Sequence, residues 1–346
     1  MADMKIIEVR AAAPETPGVP NDWRKKFGQL VVAVRTDAGI TGYGVGGGGP
    51  AGVYIVEALL SEVLLGRDPL DTEAHWQRMY RAVLPFGRTG LALWALSGVD
   101  LALWDLRGKA EKQPVYQLLG GKLHDRVPAY ATSLGVDPGP VIESGFRIVK
   151  LHLPSVDDAG GRNAVAELVA RAREKIGPHV RLMADAFMQW NVADTLALAP
   201  AFKTCGVEWI EEPLPSFDLE GYRRLASECA IPIAGGEHEQ TAQSFEMLAR
   251  ERLHRVLQPD ATWCGGLTEL IRIYRAAEKY GVRVCQHRGA EPWGLHALVA
   301  LEPRDPLAEE GRRWMQWLPG APKIVDGFVA PPDGPGFGVE LGGVFS

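Results

Sequence analysis

The chain has 346 residues, which exceeds one ordinary domain and predicts either a single large α/β barrel or two domains sharing a boundary. Its 46% hydrophobic and 23% charged residues are typical of a folded soluble protein, and no run approaches the ~18 apolar residues of a membrane helix. The net charge of -6 argues against a general binder of nucleic-acid backbones, although one local positive site could still hold a small anion.

The sequence shows neither the pattern of a secretory signal nor closely spaced cysteines. Residues 1–10 show no basic patch followed by a long apolar run, so we expect no secretory signal and a cytoplasmic location. The cysteines lie far apart and form no close pair of the zinc or redox kind, so we expect reduced, mostly buried thiols. They are Cys205, Cys229, Cys264 and Cys285.

The first third of the chain predicts a small α+β unit. Alternating residues predict strands at 5–9 and 30–35, with a hairpin turn at 37–39. Apolar residues spaced by three and four then predict helices at 52–65, 71–84 and 90–112. Residues 46–49 are all glycine, but no Lys-Ser/Thr follows as in a phosphate-binding loop, so we interpret them as a flexible lid loop.

After residue 126 the pattern changes to short apolar strands alternating with amphipathic helices. The predicted strands are 147–151, 181–184, 207–210, 231–234, 255–258 and 282–285. Such βα repetition predicts a parallel sheet or barrel. We therefore predict an α+β capping domain at 1–125 and a catalytic barrel domain at 126–319. A tail at 320–346, rich in Pro and Gly, is expected to pack back on the cap.

Three acidic residues follow predicted strands at equal steps. Asp185, Glu211 and Glu237 are separated by 26 positions each, about one βα unit of a barrel. Such acids would converge at the carboxyl end of a barrel, and their hard oxygen atoms suit Mg²⁺ better than zinc. Each acid could instead cap the helix after its strand, but three in equal steps favour a metal site.

A histidine and an aspartate follow the neighbouring predicted strands. Asp260 comes after 255–258 and His287 after 282–285, so both side chains could reach the same carboxyl end of the barrel as the three acids. An aspartate that accepts a hydrogen bond from one imidazole nitrogen fixes the tautomer and raises the basicity of the other nitrogen. A lone histidine there could be purely structural. Its possible aspartate partner favours a catalytic base.

Lys150 and His152 lie two apart on a predicted strand and so point to the same side, here the barrel interior. Both could contact a bound anion. Lys150 could instead pair with one of the metal carboxylates, because a buried lysine needs a partner. For His152, a catalytic role and no role stay open.

Four stretches together resemble a known family. They are Val-Asp-Leu-Ala-Leu-Trp-Asp at 99–105, Ile-Glu-Glu-Pro at 210–213, Gly-Gly-Glu-His at 235–238, and Gln-Pro-Asp at 258–260 with Trp-Cys-Gly-Gly-Leu-Thr at 263–268. The sequence resembles the enolase superfamily, specifically its mandelate racemase branch, over nearly the whole chain. Within that branch it is most similar to rhamnonate dehydratases, which are acid-sugar dehydratases.

This resemblance implies a modified TIM barrel, (β/α)₇β, with an N-terminal α+β capping domain. It implies Mg²⁺ on the three acids, a His287/Asp260 dyad as base, and a symmetric homo-oligomer. It also implies an acid after the last strand that steadies the enolate, for which Glu309 fits best and Glu310 is the reserve. The expected substrate contacts are Lys150, Arg288 and Trp23.

Three positions depart from the relatives. Residues 17–27 carry no histidine where rhamnonate dehydratases have a substrate-contacting one, and Arg288 follows His287 where they have glycine. His152 stands where many relatives have a second lysine that acts as a base. We therefore expect a different substrate, and a two-base racemase stays open.

The combined pattern predicts a Mg²⁺-dependent enzyme that converts a sugar acid, an aldonate or a related compound, to a 2-keto-3-deoxy acid. The α-proton would be removed through an enediolate. The alternative within catalysis is a racemase, epimerase or cycloisomerase of a hydroxy acid that uses the same enolate. An alternative from another class is a barrel that only binds a sugar acid. In each case the expected partner is a small molecule, with neither nucleic acid nor membrane.

Overall fold

The computed structural model describes residues 4–14, 24–133, 137–157, 159–311, 315, 317–318 and 320–345. Trp23, one of the expected substrate contacts, lies outside the described residues. Of residues 17–27, which lack the histidine that the relatives have there, the structure describes only those from Arg24 onward.

The N-terminal part contains a three-stranded antiparallel sheet in the order β1-β2-β3. Its strands are β1 (Ile6–Ala12), β2 (Gln29–Thr36) and β3 (Thr41–Gly47). The Thr36 amide donates to the Ile40 carbonyl at 3.0 Å, and Gly39 has φ +78° in the turn between them. Glycine adopts this conformation without the strain that a Cβ causes. The two predicted strands and the hairpin turn at 37–39 are confirmed.

Among the described residues of this part, five helices accompany the sheet. They are α1 (Arg24–Phe27), α2 (Gly49–Ile55), α3 (Thr72–Val83), α4 (Leu91–Glu111) and α5 (Val115–Leu118). A π-helical turn, Val56–Leu60, continues α2. Asp71 caps α3, because its side chain accepts a hydrogen bond from the Ala74 amide at 3.1 Å. The three longer helices predicted from the sequence are confirmed.

The expectation that residues 46–49 form a flexible lid loop is wrong. Gly46 and Gly47 end β3, and Gly49 begins α2. All four glycines are buried. The absence of side chains serves close packing here, and the positive φ angles of Gly48 and Gly49, +99° and +50°, allow the abrupt change from strand to helix.

Alternate glycines of β3 allow α4 to lie directly against the strand. A Cβ built on Gly44 would lie 2.2 Å from the Gly98 carbonyl oxygen, and one on Gly46 would lie 2.4 Å from the Trp94 carbonyl oxygen. A Cβ on Gly42 would also meet this helix. Residues two apart on a strand share one face, so these glycines form one contact surface for α4.

We expect Gly44→Ala to lower the free energy of unfolding by about 3 kcal/mol, because the added methyl group must displace the α4 backbone. Denaturant unfolding followed by circular dichroism measures this loss. Gly343→Ala is the matched control, since a Cβ at Gly343 has no atom within 4 Å. Equal stability of the two variants would contradict the close approach of β3 and α4.

Eight parallel strands follow, in sequence order around a curved sheet. They are β4 (Val127–Ser133), β5 (Ile148–His152), β6 (Arg181–Asp185), β7 (Val207–Glu211), β8 (Ile233–Gly235), β9 (Val256–Leu257), β10 (Arg283–Val284) and β11 (Ala308–Glu309). The helices between them are α6 (Gly139–Glu143), α7 (Ala159–Ile176), α8 (Val192–Thr204), α9 (Leu219–Glu228), α10 (Thr241–Glu251), α11 (Gly266–Tyr280) and α12 (Pro292–Leu301). All six strands predicted in this region are confirmed.

The two ends of this sheet meet. β11 pairs in parallel with β4, and the Ala290 amide, after β10, donates to the Glu309 carbonyl in β11 at 2.9 Å. Seven strand–helix units and a final strand therefore surround one axis. This is the (β/α)₇β barrel with an α+β cap that the resemblance implied.

Apolar side chains of the barrel strands form a cluster of their own. It includes Tyr130, Met183, Trp209 and Cys285, and the rings of Tyr130 and Trp209 meet edge to face with centroids 6.4 Å apart. A larger cluster joins the strands to the surrounding helices. Packed side chains fill the interior of the barrel, so it contains no open channel. The polar residues at the carboxyl ends of the strands therefore form the floor of a pocket, called the mouth below.

The C-terminal tail lies against α4 and α5. A short strand, β12 (Phe328–Val329), pairs antiparallel with β4. Further along, Gly336 exchanges backbone hydrogen bonds with residues 113 and 115 at 3.0 and 2.8 Å, and the Phe337 amide donates to the Asp105 carboxylate at 2.8 Å. The tail thus connects the end of α4 to the barrel.

His296 is buried where α12, α5 and the tail meet. Its Nδ1 accepts a hydrogen bond from the Tyr116 amide at 3.1 Å, and the rings of Tyr116 and Phe337 flank it. Burial lowers the pKa of His296 from its ordinary 6.5 to about 3. Protonation would also prevent Nδ1 from accepting the Tyr116 hydrogen bond, so the folded protein holds this histidine neutral.

The free energy of unfolding is therefore expected to fall as the pH decreases from 6.5 towards about 3, because the unfolded chain takes up a proton at His296 before the folded chain does. His296→Gln, which lacks this proton, should reduce the slope of stability against pH. Denaturant unfolding at several pH values measures it. The control is His179→Gln at an exposed site, and an unchanged slope for His296→Gln would refute the assignment.

Two further expectations concern the whole chain. Of the helices that the structure describes, none combines the length and apolar character that spanning a bilayer requires. All four cysteines are free, with Cys264 and Cys285 buried and the other two half-buried, as predicted.

Candidate active site

The polar residues predicted from the sequence lie at the carboxyl ends of the barrel strands. In strand order they are Lys150 and His152 of β5, Asp185 of β6, Glu211 of β7, Glu237 after β8, Asp260 after β9, His287 after β10 and Glu309 of β11. Carboxyl ends of parallel strands share one rim of a barrel, so these side chains converge on one mouth. All of them are buried except His152 and His287, which are half-buried.

Lys150 is a fully buried cation among carboxylates. Its Nζ contacts the Glu211 carboxylate and lies 2.8 Å from Glu309 Oε1 and 3.9 Å from Asp185 Oδ2. Burial alone would lower the pKa of Lys150, but these three acids raise it well above its usual value. The alternative that Lys150 pairs with a predicted metal ligand is therefore realised, and the mouth contains a fixed positive charge.

The acids of the mouth outnumber the cations beside them. Burial raises the pKa of Glu211, and the nearby carboxylates of Asp185, Glu309 and Glu237 raise it further, against the effect of Lys150. Gln258 donates a hydrogen bond to Glu211 Oε2 at 2.6 Å. Burial likewise raises the pKa of Glu237. Such an excess of buried negative charge favours a bound cation.

His152 lies beside the first of the three acids. Its Nδ1 is 3.3 Å from Asp185 Oδ2, and one third of its side chain is exposed. This contact raises the pKa of His152, although burial partly opposes it. Its ring also lies near that of Phe187, with centroids 5.6 Å apart. His152 is therefore a polar group open to the mouth.

The structure brings His287 and Asp260 together. His287 Nδ1 lies 2.8 Å from Asp260 Oδ2, and Nε2 lies 3.3 Å from Glu237 Oε2. Asp260 is almost completely buried, and its Oδ1 accepts hydrogen bonds from the amide and hydroxyl of Thr262, both at 2.7 Å. One imidazole nitrogen is thus held by a fixed carboxylate while the other faces the mouth.

Arg288, expected to contact substrate, is buried behind the dyad. Its side chain is only 3% exposed, and its Nε donates to Asp260 Oδ2 at 2.8 Å. A further nitrogen lies 3.3 Å from Glu291 Oε1, and the guanidinium group lies over the Trp263 ring at 4.9 Å. These contacts turn the guanidinium group towards the aspartate of the dyad.

Of the two candidate acids at the end of the last strand, Glu309 and Glu310, it is Glu309 whose side chain lies in the mouth. It accepts hydrogen bonds from the Thr132 hydroxyl at 2.9 Å and the Arg288 amide at 3.1 Å, besides its contact with Lys150. Burial alone would raise the pKa of Glu309, but the positive charges of Lys150 and His287 and the hydrogen bond from the Arg288 amide lower it to about 2. Glu309 is therefore an ionised acceptor.

The chemistry of Asp185, Glu211 and Glu237 suits a hard divalent cation. All three offer buried carboxylate oxygens at one rim, the donor type that Mg²⁺ prefers. Each also contacts a nitrogen group: Asp185 contacts His152, Glu211 contacts Lys150, and Glu237 contacts His287. The donor set therefore fits Mg²⁺.

Comparison with known families identifies the chain. Residues 7–120 match the family described as mandelate racemase / muconate lactonizing enzyme, N-terminal domain, and residues 140–342 match the family described as enolase C-terminal domain-like. The chain belongs to the mandelate racemase branch of the enolase superfamily. The resemblance inferred from short motifs is confirmed, and the second match contains every residue placed at the mouth.

Relatives of this enolase-superfamily protein include dehydratases and a racemase. An L-rhamnonate dehydratase from Saccharopolyspora erythraea is 36% identical over 330 residues, which are 91% of this chain and 83% of that one. A rhamnonate dehydratase from Gibberella zeae complexed with Mg has a TM-score of 0.87 at 28% identity, covering 99% of this chain and 95% of that one. A racemase from Streptomyces coelicolor A3(2) with bound magnesium has a TM-score of 0.88 at 30% identity, covering 97% of each chain.

Two further residues of this superfamily member, Glu212 and His238, form a pair that was not predicted from the sequence. His238 Nδ1 lies 2.6 Å from Glu212 Oε2, and these two residues with Glu237 offer ligand atoms within 4.8 Å of one another. This trio includes an imidazole, whereas the three predicted ligands are all carboxylates, the donor type that Mg²⁺ prefers. The available signal was position, because each residue directly follows a predicted metal ligand.

Aromatic side chains cover the same mouth. Trp263 stacks on Trp94 of α4, with ring centroids 4.7 Å apart, and lies 5.4 Å from the His287 ring. A Cβ on Gly47 would come within 2.8 Å of Trp263 Nε1. The glycine at the end of β3 is thus required by the tryptophan that covers the dyad.

Left-handed backbone conformations cluster just after the strand ends. Glu212, Arg288 and the pair Phe187 and Met188 have φ between +37° and +60°. Residues with a Cβ are strained there, and such strain is concentrated at functional sites. The strained positions thus lie at the same rim as the candidate active-site residues.

Proposed function

We propose that this protein is a Mg²⁺-dependent dehydratase of a sugar acid. It removes the proton next to the carboxylate, expels the neighbouring hydroxyl group and leaves a 2-keto-3-deoxy acid. The observation that carries the proposal is the His287 imidazole, which is hydrogen-bonded to Asp260 through Nδ1 and lies 3.3 Å from the Glu237 carboxylate through Nε2. The 36% identity to an L-rhamnonate dehydratase supports the choice of dehydration.

Asp185, Glu211 and Glu237 would hold the Mg²⁺ ion, because their oxygens and surplus negative charge suit it. When bound, the ion would supply positive charge that holds the substrate carboxylate and stabilises the enediolate left by proton removal. Lys150 would then donate to the same carboxylate, since its Nζ lies among the proposed metal ligands.

His287 is the proposed base, with Nε2 as the accepting atom. Burial lowers the pKa of His287, while Glu237 and the hydrogen bond to Asp260 raise it to about 9. The contribution of Glu237 depends on its negative charge, which is compensated when this residue serves as a metal ligand. The contribution of Asp260 persists and keeps Nδ1 protonated, so that Nε2 is the basic nitrogen.

Glu309 acts through Lys150 in this proposal. Its low pKa, about 2, makes it an acceptor, so it cannot donate a hydrogen bond to an enolate oxygen. It instead holds the Lys150 ammonium group in the mouth at 2.8 Å. Glu309 therefore steadies the enolate indirectly, by fixing the cation that contacts the substrate.

The departing hydroxyl group needs a proton. The His287 imidazolium formed in the first step is one donor, and His152 is the other, because its contact with Asp185 raises its pKa. Either donor leaves water as the second product. The choice depends on the face of the substrate from which the hydroxyl leaves.

A racemase or epimerase is the second candidate, favoured by the position of His152. Going around the rim from β10 through β11 and β4 to β5, His287 and His152 are three strands apart, so they approach the mouth from different sides. Two such groups could remove and return a proton on opposite faces. A related racemase has a TM-score of 0.88.

We further propose that residues 1–125 act as the cap and residues 126–319 as the catalytic barrel, with the tail joining them. The cap meets the barrel next to the dyad: Trp76 Nε1 donates to the Gly265 carbonyl at 2.7 Å, and Gln240 accepts from the Gly90 amide at 3.0 Å. In this arrangement the cap excludes water from the mouth and contacts the distal part of the substrate.

A keto-acid colour assay across a library of aldonic and aldaric acids, with and without Mg²⁺, tests reaction class and metal together. Magnesium-dependent colour with one substrate would support dehydration and identify the acid. Deuterium incorporation into recovered substrate in D₂O, without keto acid, would instead support racemisation or epimerisation. Ligand binding with neither reaction would support a barrel that only binds sugar acids.

A further inference from the structure

The side chain of Arg288 is one of the most buried cations of the molecule. It is 3% exposed, and two of its nitrogens, Nε and a terminal nitrogen, lie 2.8 and 2.7 Å from Asp260 Oδ2. Asp260 is 2% exposed at its side chain. A buried carboxylate requires a compensating charge, and Arg288 supplies it at hydrogen-bond distance.

Arg288 and His287 share one acceptor atom. Asp260 Oδ2 lies 2.8 Å from both His287 Nδ1 and Arg288 Nε, while Oδ1 accepts from Thr262. Donors on both oxygens fix the plane of the carboxylate. The orientation of the Asp260 carboxylate in turn fixes the orientation of the His287 imidazole.

The backbone conformation of Arg288 is also strained. Its φ is +51°, in the left-handed region that a side chain rarely adopts. In this conformation its amide donates to Glu309 Oε2 at 3.1 Å while its side chain reaches Asp260. A strained residue persists only where its surroundings determine it strongly. One residue therefore links the carboxylate behind the base to the carboxylate beside Lys150.

We infer that Arg288 is a positioning residue for the base: its guanidinium group orients the Asp260 carboxylate and thereby the His287 imidazole, and it does not contact substrate. This inference rests on the proposed function, since it assumes that His287 acts as the base. It assigns to Arg288 an effect on turnover that is separate from substrate affinity.

The test is Arg288→Gly, because glycine tolerates the positive φ and leaves a space that a free guanidinium ion can fill. We expect kcat to fall on the order of 10- to 100-fold, as for other groups that orient an active-site side chain, with little change in KM. Millimolar guanidinium chloride should restore much of kcat, while equal KCl should not. Arg288→Lys, which retains one cation but not the planar fork, should keep part of kcat.

Arg252→Gly is the matched control. Arg252 also has a positive φ, +57°, but it is exposed at the end of α10. This variant removes an arginine and relieves the same backbone strain, so its kcat should match that of the wild type. It separates the guanidinium contact with Asp260 from relief of strain alone.

Three results would overturn the inference while the wild type is active. A raised KM with unchanged kcat would make Arg288 a substrate contact, and unchanged values of both would remove any role. A lower melting temperature with wild-type kcat in the folded protein would make Arg288 purely structural. A wild type with neither turnover nor deuterium exchange across the library would overturn the proposed function, and the inference with it.

Discussion

Replacing His287 by asparagine is expected to lower kcat by about 10² to 10⁴-fold, which places turnover below detection in most assays, while the fold stays intact. In the proposed mechanism the imidazole receives the α-proton, and asparagine has no basic nitrogen to replace it. The amide is smaller than the ring and the side chain is 12% exposed at the mouth, so the packing around it changes little. Measurement of kcat and of deuterium exchange at the α-carbon tests both parts of the expectation.

His179→Asn is the control for this variant, because His179 is an exposed histidine outside the mouth. It should show wild-type kcat. Near-ultraviolet circular dichroism of His287→Asn should match that of the wild type. Activity near the wild-type level in His287→Asn would refute its role as the base.

Replacing Glu211 by glutamine is expected to weaken Mg²⁺ binding on the order of 100-fold or more, because an inner carboxylate ligand matters at least as much as an outer-shell partner. Glutamine has nearly the same shape but no charge, so the change isolates the charge of one proposed ligand. Lys150 keeps Glu309 as a partner at 2.8 Å, which limits the damage to the fold. Isothermal titration with Mg²⁺ measures the affinity directly.

The same variant should lose the thermal protection that the metal provides. A ligand that binds only the folded state stabilises it by about 2.7 kcal/mol at 100 times its Kd. The wild type should therefore melt at a higher temperature in Mg²⁺ than in EDTA, whereas Glu211→Gln should show little difference at the same concentration.

Glu208→Gln is the matched control on the same strand, β7. Glu208 pairs with Arg181 at 2.6 Å and is 30% exposed, so it lies away from the mouth. Its loss should leave the Mg²⁺ effect unchanged and cost only the small contribution of a partly exposed ion pair. Unaltered Mg²⁺ affinity in Glu211→Gln would exclude this residue as a ligand.

The barrel and the convergence of its polar residues were predictable because both depend on local patterns. Each strand is a short apolar run, and an acid or histidine directly after it must reach the rim of a parallel barrel. Asp185, Glu211 and Glu237 could thus be grouped without knowledge of any long-range contact. His287 and Asp260 were paired for the same reason, and their hydrogen bond is present at 2.8 Å.

The glycines of β3 show where local patterns are ambiguous. A run of glycines is compatible with a flexible loop or with close packing, since neither requires a side chain. A Cβ on Gly44 would lie 2.2 Å from the Gly98 carbonyl oxygen of α4. The glycines therefore allow close packing of the helix against the strand. The alternation of glycines at 42, 44 and 46 was the available signal, because it is the period of one face of a strand.

The order of the elements, the family and the positions of the polar residues around the mouth follow from sequence patterns alone, because strand patterns and the residues that follow them are local. Apart from the His287–Asp260 pair and the pairing of Lys150 with a metal carboxylate, the contacts of the polar groups were seen only in the folded structure. Arg288 reaches Asp260 across 28 residues of sequence, and His238 reaches Glu212 across 26. Such contacts depend on which distant side chains share a buried volume, and no local spacing specifies that.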